Sequence, residues 1–415
     1  MPWLHFWFYY QHHLIKLKKA GSRIQKGNQY SRFFLLMLAS KLPQVGTSIF
    51  TVMSQLAQQH GAINLSQGFP DFNSPTELLD LVSYYLHQGF NQYAPMAGVV
   101  KLREQLSLKT QLLYGITPNP ETEITITSGA TEALYAALAA ILHPHDEVIV
   151  LEPAYDSYVP AILLNGGKPV YVPLQVPGFT IDWDLVKAAI TPRTRAILLN
   201  SPHNPSGAVL KPSDLTALAE IIRDTNILIV SDEVYEHMVF DGQPHQSLLT
   251  CPELASRSFV ISSFGKTYHA TGWKVAYCVA PPALTIEFRK VHQYLTFSTI
   301  TPVQYALADF LTNQEHYQNL PAFYQAKRDL FCQLLQGSRF TLQPSAGTYF
   351  QLVSYENITP ENDQAFARRL TTEVGVAAIP VSVFYHQQTD YGLLRICFAK
   401  NEETLRAAAQ KLCQL

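Results

Sequence analysis

Between residues 123 and 266 the chain repeats one pattern. A short β-branched, apolar run breaks off and is followed by a helical segment or a polar turn. The runs open or fill "EITITSGATEAL", "DEVIVLEPAY", "KPVYVPL", "TRAILLNSPHNPSG", "ILIVSDEVY" and "SFVISSFGK". Segments such as "ATEALYAALAAIL" and "PSDLTALAEIIRDTN" lie between them with helical texture, the second with Ser213 or Asp214 as its expected N-cap. Runs that are apolar throughout need cover on both faces, so the pattern predicts a mostly parallel sheet with helices on either side. Ligands of such α/β sheets bind beyond the C-terminal ends of the strands. The polar residues at the run ends are therefore the place to look for function.

After about residue 300 the texture changes. "TPVQYALADFLTNQEHYQNLPAFYQAKRDLFCQLLQ" reads as helix, "GTYFQLVSY", "VAAIPVSVF" and "LLRICFA" read as strands of a smaller sheet, and "NEETLRAAAQKLCQL" closes the chain as a helix. A chain of 415 residues, 47% hydrophobic and 15% charged, is long enough for this division. The expected organisation is an arm over 37–75 that contributes to the small domain, a large domain over 76–300 and a small α+β domain over 301–415. The first 36 residues carry six Lys/Arg and no acid. They read as a poorly ordered extension or a start assigned too early, with a targeting segment as the alternative.

Composition narrows the function classes. A net charge of -2 offers no electrostatic footprint for nucleic acid. No apolar run is long enough to span a bilayer. The five cysteines, Cys251, Cys278, Cys332, Cys397 and Cys413, include no CxxC pair. That argues for free thiols in a reducing, cytoplasmic compartment and against a zinc site; no metal is expected.

The run ends carry chemistry-bearing residues in a fixed order. "SGATEAL" puts Ser128, Gly129, Ala130 and Thr131 at a helix start, where free N–H groups and the positive dipole end can hold an anion; an unliganded cap explains it equally well. "NSPHNPSG" holds Asn200 and Asn204 in a loop restricted by Pro202 and Pro205. Asp232 ends an apolar strand, where an unpaired carboxylate is costly; it is either salt-bridged or holds a protonated ring nitrogen, and Tyr235 can offer its phenol to the same ligand. "SSFGKTYHATGWK" supplies two amines. Lys266, after Gly265 at a strand end, is suited to covalent work if burial depresses its pKa. Lys274 can serve as a counter-charge and Ser263 can meet a phosphate. Together this is the set of groups that pyridoxal phosphate requires: phosphate donors, an acid for the pyridinium nitrogen and a lysine for a Schiff base.

From about residue 40 onward the chain resembles the class I/II, fold-type-I aminotransferases that depend on pyridoxal 5'-phosphate, most closely the branch that includes the bacterial methionine aminotransferases and the kynurenine/glutamine transaminases. "INLSQGFPDF", "NQYAPMAG", "SGATEAL", "NSPHNPSG", "SDEVYEH", "SSFGKTYHATGWKVAYCVAP", "VHQYLTFS" and "LRICFAK" carry the resemblance. It implies that Lys266 is the catalytic Schiff-base lysine, that Asp232 pairs with the pyridine nitrogen and that Tyr235 and Asn204 bond the phenolic oxygen. It further implies that Tyr155 stacks on the ring and that Ala130, Thr131, Ser263 and Lys274 hold the phosphate. Tyr93 would reach the phosphate of a partner subunit, which makes the enzyme a homodimer with shared sites. Arg395 would fork onto the substrate α-carboxylate, with Gly68 closing near it and Asn204 or Asn200 assisting. Tyr93, Phe69, Tyr155 and Phe297 can form an apolar pocket for methionine or a large aliphatic or aromatic side chain.

The reading that follows is a ping-pong aminotransferase acting through a Lys266 aldimine. The rival on the same fold is a C–S β-lyase acting on cysteine conjugates. A transcription regulator with an aminotransferase-like sensor domain would need a DNA-binding module, and the extension shows no helix-turn-helix pattern.

Overall fold

Six of the runs become strands of one seven-stranded sheet in a computed structural model that describes residues 39–415. The expected extension over 1–36 lies outside the described residues. The chain divides into a segment ending at Gln44 and a unit spanning Val45–Leu415, and the latter carries every element considered below.

The sheet strands are β2 (Ile124–Thr127), β3 (Glu147–Glu152), β4 (Lys168–Pro173), β5 (Thr194–Asn200), β6 (Leu228–Asp232), β7 (Ser258–Ser263) and β8 (Ala276–Val279), and β1 (Ile63–Asn64) lies outside it. Their order is β2-β8-β7-β6-β5-β3-β4. The block from β7 to β4 is parallel, as the apolar runs predict. The seventh strand, β8, is antiparallel to both neighbours. Its pairing with β7 begins at Ser263↔Ala276, so the segment between them simply folds back, and a chain that returns to its own strand end must run antiparallel.

Alternation along β3 explains why its run is apolar throughout. Val148 and Val150 face one core, against Ala133, Leu134 and Ile141 of the helix Ala130–Ile141. Ile149 and Leu151 face the other, which contains Leu215, Leu218 and Ile222 of the helix Pro212–Ile222. A strand buried on both sides has no polar face to show. The expected cap of that second helix is corrected. Lys211 is the N-cap, Pro212 starts the helix, and Asp214 lies inside the first turn, where its Oδ2 accepts from Lys211 N at 2.7 Å. Proline at the first helical position displaces the start upstream of Ser213.

Beyond residue 300 the helices Thr301–Phe310 and Leu320–Leu334 lead to a three-stranded antiparallel sheet of β9 (Phe350–Ser354), β11 (Ile379–Pro380) and β12 (Leu393–Cys397). In it β12 is central and Arg395 pairs with Leu352 and Ile379. A two-residue strand, β10 (Val376–Ala377), pairs in parallel with β1, and Cys397 N donates to Leu65 O at 2.8 Å. The segment after the helix Ile49–His60 is thereby stitched to the C-terminal sheet, which brings Ser66–Gly68 beside β12.

Gly98 shows how tightly one loop is seated. Its φ is +100°, and a Cβ there would lie 2.2 Å from Ile126 Cγ1 on β2. Gly98→Ala is expected to destabilise the protein by about 2–4 kcal/mol through backbone strain and overpacking, read as a lower midpoint of chemical unfolding.

Candidate active site

The C-terminal ends of β5, β6 and β7 open into a cavity of about 330 Å³. Strand register sets its floor, since Asn200 pairs directly with Asp232 and Asp232 with Ile261. Fourteen residues singled out from the sequence line this cavity, Gly129 and Gly265 among them. Ala130, Thr131, Ser263 and Lys274 stand at one end, and Gly68, Asn204 and Arg395 belong to the lining as well. Asp232, Tyr235, Tyr155, Asn200 and Lys266 complete the set.

The end at the helix Ala130–Ile141 is built to take an anion. Gly129 precedes that helix with φ +82°, and a Cβ on it would come within 2.9 Å of Lys274 Cε and 3.1 Å of Lys274 Nζ. Only a glycine lets the ammonium lie over the helix start. The open N–H groups, a lysine and the Ser263 and Thr131 hydroxyls thus bound one small volume.

Asp232 is buried. Its Oδ2 accepts from Tyr158 Oη at 2.7 Å and its Oδ1 from Val234 N at 3.3 Å. Burial pushes its carboxyl up to about 6, against the pull of those hydrogen bonds and of Lys266. The residues around it alternate in role. Asp232 and Tyr235 line the cavity, whereas Glu233 and Glu236 bond into the scaffold. Glu236 accepts from Lys109 at 2.7 Å, Tyr277 at 2.6 Å and Tyr114 at 2.7 Å. Glu233 takes Ser231 Oγ at 2.9 Å and Leu248 N at 3.1 Å, with His245 Nε2 at 2.9 Å. The same "DEVYEH" stretch therefore presents groups to a ligand and anchors itself.

Lys266 Nζ lies 3.0 Å from Tyr349 Oη and 3.2 Å from Gly68 O, with no carboxylate in salt-bridge range among the described residues. Burial, opposed by Cys397 and Asp232 and reinforced by Arg395 and Lys274, pushes its ammonium down to about 8. Arg395 is only 1% exposed, yet no acid pairs with it among the described residues. Its Nη1 donates to Asn204 Oδ1 and its Nη2 to Ser66 O, each at 2.8 Å, while Nε has no partner. The guanidinium sits 3.9 Å from the centre of the Phe350 ring. A buried, half-satisfied guanidinium opening on a cavity suits a carboxylate ligand.

Tyr93 is one of three exceptions among the predicted residues. It is 82% exposed, edge-on to Phe297 at 5.3 Å, and does not line this cavity. Phe69 and Phe297 are also exposed and outside it; the apolar wall is instead Phe50, Phe350 and Leu134 beside Tyr155. Tyr158, Tyr349, Phe50 and Phe350 escaped the sequence reading. Tyr158 follows Tyr155 at helical spacing in "YDSY", which is a signal of a shared face; the other three reach the site only through tertiary packing.

The profile of the aminotransferase class I and II family matches residues 60–412. The chain belongs to that family. It is 53% identical to the methionine aminotransferase of Escherichia coli strain K12, over 92% of this chain and 99% of that protein. A crystal structure from E. coli, described as identifying a methionine aminotransferase function, superposes with a TM-score of 0.90 at 53% identity, covering 91% of this chain and 99% of the other. The probable N-succinyldiaminopimelate aminotransferase of Mycobacterium tuberculosis (strain H37Rv) is 38% identical over 91% of this chain and 98% of its own length.

Enzymes of this family depend on pyridoxal phosphate, and this chain is one of them. Its cavity fits the group. The anion cradle closed by Lys274 over Gly129, the buried acid and the amine with a depressed pKa match in kind the phosphate, the ring nitrogen and the aldehyde.

The folded pKa of Asp232 lies above its unfolded value. The stability linked to its proton is thus intact below the ordinary carboxylate range and is lost as pH rises through about 6. Asp232→Asn removes the charge and keeps an oxygen for Tyr158. It is expected to raise the melting temperature of the apoprotein at about pH 8, with the gain fading below about pH 4.

Proposed function

We propose that this aminotransferase moves the amino group of methionine, or of another large neutral or aromatic L-amino acid, to a 2-oxo acid. The observation that carries the reading is Arg395, a buried guanidinium without an acidic partner, which lines the same cavity as Lys266 between aromatic walls. Identity of 53% to a methionine aminotransferase supports the donor. The lining of Phe50, Phe350 and Leu134 offers a long side chain apolar contact, and the other cations of the cavity, Lys266 and Lys274, are assigned to the cofactor in this reading. One methylene in such a pocket discriminates by about 1–3 kcal/mol, so related large side chains are accepted as well.

In this reading Asp232 would face the pyridine nitrogen, Tyr235 and Asn204 the phenolic oxygen, and Tyr155 the ring. Ala130 N–H, Thr131, Ser263 and Lys274 would hold the phosphate. When bound, pyridoxal phosphate supplies the electron sink that makes the amino acid's Cα–H acidic. The chain's own groups do the rest. Arg395 binds the α-carboxylate through paired N–H donors, and Asn204 holds Nη1 so that the fork keeps its aim. Lys266 would hold the cofactor's aldehyde carbon, and its amine, whose pKa burial pushes down to about 8, would serve as the base that takes the proton from Cα. Gly68, on the segment stitched to β12, closes over the carboxylate, and this sequestration excludes water. The amino acid leaves as a 2-oxo acid, and a second oxo acid removes the nitrogen.

The same proposal includes a cytoplasmic homodimer with shared sites. Tyr93, Tyr294 and Phe297 are exposed aromatics, and a partner subunit would bring Tyr93 to its neighbour's phosphate. The free thiols agree with a reducing compartment. No described helix is long and apolar enough to cross a membrane. The division into an arm over 37–75, a large domain over 76–300 and a small domain over 301–415 belongs to the proposal too.

The deciding measurement is the visible spectrum of the holoenzyme with L-methionine and no oxo acid. Stoichiometric conversion of the cofactor band, with a 2-oxo acid released, is expected; an unchanged spectrum sinks the donor assignment, and ammonia release from a cysteine conjugate would favour the lyase. Lys266→Ala should lower the rate of this half-reaction by at least about a thousandfold. Arg395→Lys keeps the charge and loses the fork, and should cost about 10- to 100-fold in kcat/KM for the donor. Mixing Lys266→Ala and Tyr93→Ala subunits should restore activity that neither parent has, because a mixed dimer then holds one intact site; failure to restore it rules out sharing of Tyr93.

A further inference from the structure

Tyr349 immediately precedes β9 and is fully buried. Its hydroxyl lies 2.6 Å from Gly68 O and 3.0 Å from Lys266 Nζ, while Lys266 Nζ is itself 3.2 Å from Gly68 O. The carbonyl can only accept, so the single phenolic proton goes to Gly68 O, and Tyr349 Oη faces the lysine as an acceptor. A neutral amine has two N–H bonds and one lone pair. Here both N–H bonds have acceptors, Tyr349 Oη and Gly68 O, and the lone pair is the direction left over. We propose that Tyr349 is a positioning residue for Lys266: its hydroxyl, anchored on the Gly68 carbonyl, captures one N–H of the free amine and aims the nitrogen lone pair into the cavity.

This inference rests on the base role proposed for Lys266. Rate in a proton transfer depends on such aim, because a small misplacement of the reacting atom is enough to slow it strongly. The three partners come from separate parts of the chain: Gly68 after β1, Lys266 after β7 and Tyr349 before β9. The amine is therefore oriented only when all three segments are packed together. The other ionisable groups near Lys266 are Asp232, Arg395, Lys274 and Cys397, with the Tyr235 ring 5.6 Å from Nζ. Substitution of Tyr349 by Phe keeps all of these side chains and removes only the hydroxyl with its contacts to Lys266, Gly68 O and the Tyr235 phenol. It also keeps the ring contacts of residue 349 with Phe350 at 4.9 Å, Tyr235 at 5.1 Å and Tyr324 at 5.9 Å.

The test uses the full-length apoprotein and holoenzyme carrying Tyr349→Phe. In the apoprotein, the rate at which 2,4,6-trinitrobenzenesulfonate labels Lys266 is followed against pH by mass spectrometry of the peptide that carries it. An acceptor stabilises the ammonium more than the neutral amine, so the labelling midpoint is expected to move to lower pH. In the holoenzyme kcat should fall about 10- to 100-fold while KM for the amino donor stays within about twofold. A folded Tyr349→Phe protein with an unmoved midpoint and unchanged kcat overturns the proposal and leaves Tyr349 a packing residue. If that variant does not fold, 3-fluorotyrosine at 349 keeps the shape and weakens the acceptor; the midpoint must then move in the same direction, and its constancy overturns the proposal. Borohydride reduction of the holoenzyme distinguishes the deeper failure. A cofactor label on a lysine other than Lys266 removes the assignment of Lys266, and the role of Tyr349 falls with it.

Discussion

Three ionisable side chains line one cavity, Asp232 and Arg395 buried and Lys266 half-buried, and none of them forms a salt bridge with a described residue. Burial raises the carboxyl and lowers the amine and the guanidinium, so each is held away from its ordinary charge balance. Such groups are expensive, and a sequence selected for stability alone would pair them or replace them. What stabilises them here is a set of neutral hydrogen bonds: Tyr158 and a backbone N–H on Asp232, Tyr349 and Gly68 O on Lys266, Asn204 and Ser66 O on Arg395. These contacts orient the charged groups and leave their charges to be answered by a cofactor and a substrate.

The scaffold works to keep that arrangement rigid. Parallel strands in register bring Asn200, Asp232 and Ser263 to one edge of the sheet. The stretch that carries Asp232 and Tyr235 is anchored from behind by Glu233 and Glu236, whose partners Lys109, Tyr114, Tyr277 and His245 are spread over distant parts of the chain. The pairing of β1 with β10 and of Leu65 with Cys397 carries Ser66 to Arg395 and Gly68 to Lys266. Arg395 and Lys266 are thus carried by separate elements that meet at the cavity.

Much of this was legible in the chain itself. Apolar runs ending in polar residues announced both the parallel block and the edge where ligands bind, because side-chain alternation and burial on two faces leave few other readings. Fourteen residues named from motifs line one space, whereas Tyr93, Phe69 and Phe297 lie outside it. β8 was not legible, and its direction depends on the fold-back after Ser263. Nor was the apolar wall. Phe69 and Phe297 have the right chemistry in the sequence but point elsewhere in the protomer, while Phe50 and Phe350, separated by some three hundred positions, supply the surface.

The amino-acid sequence by itself determined the family, the kind of sheet and most of the polar groups that line the cavity, since these depend on local period and on motifs whose members lie within a few residues of each other. Tertiary structure alone decided which neutral groups hold the buried charges: Tyr158 on Asp232, Tyr349 on Lys266, Asn204 on Arg395. Hydrogen bonds reach only about 3 Å, and the partners in these pairs are separated by 74, 83 and 191 positions. Nothing local in the chain encodes a contact that exists only once distant strands have closed on one another.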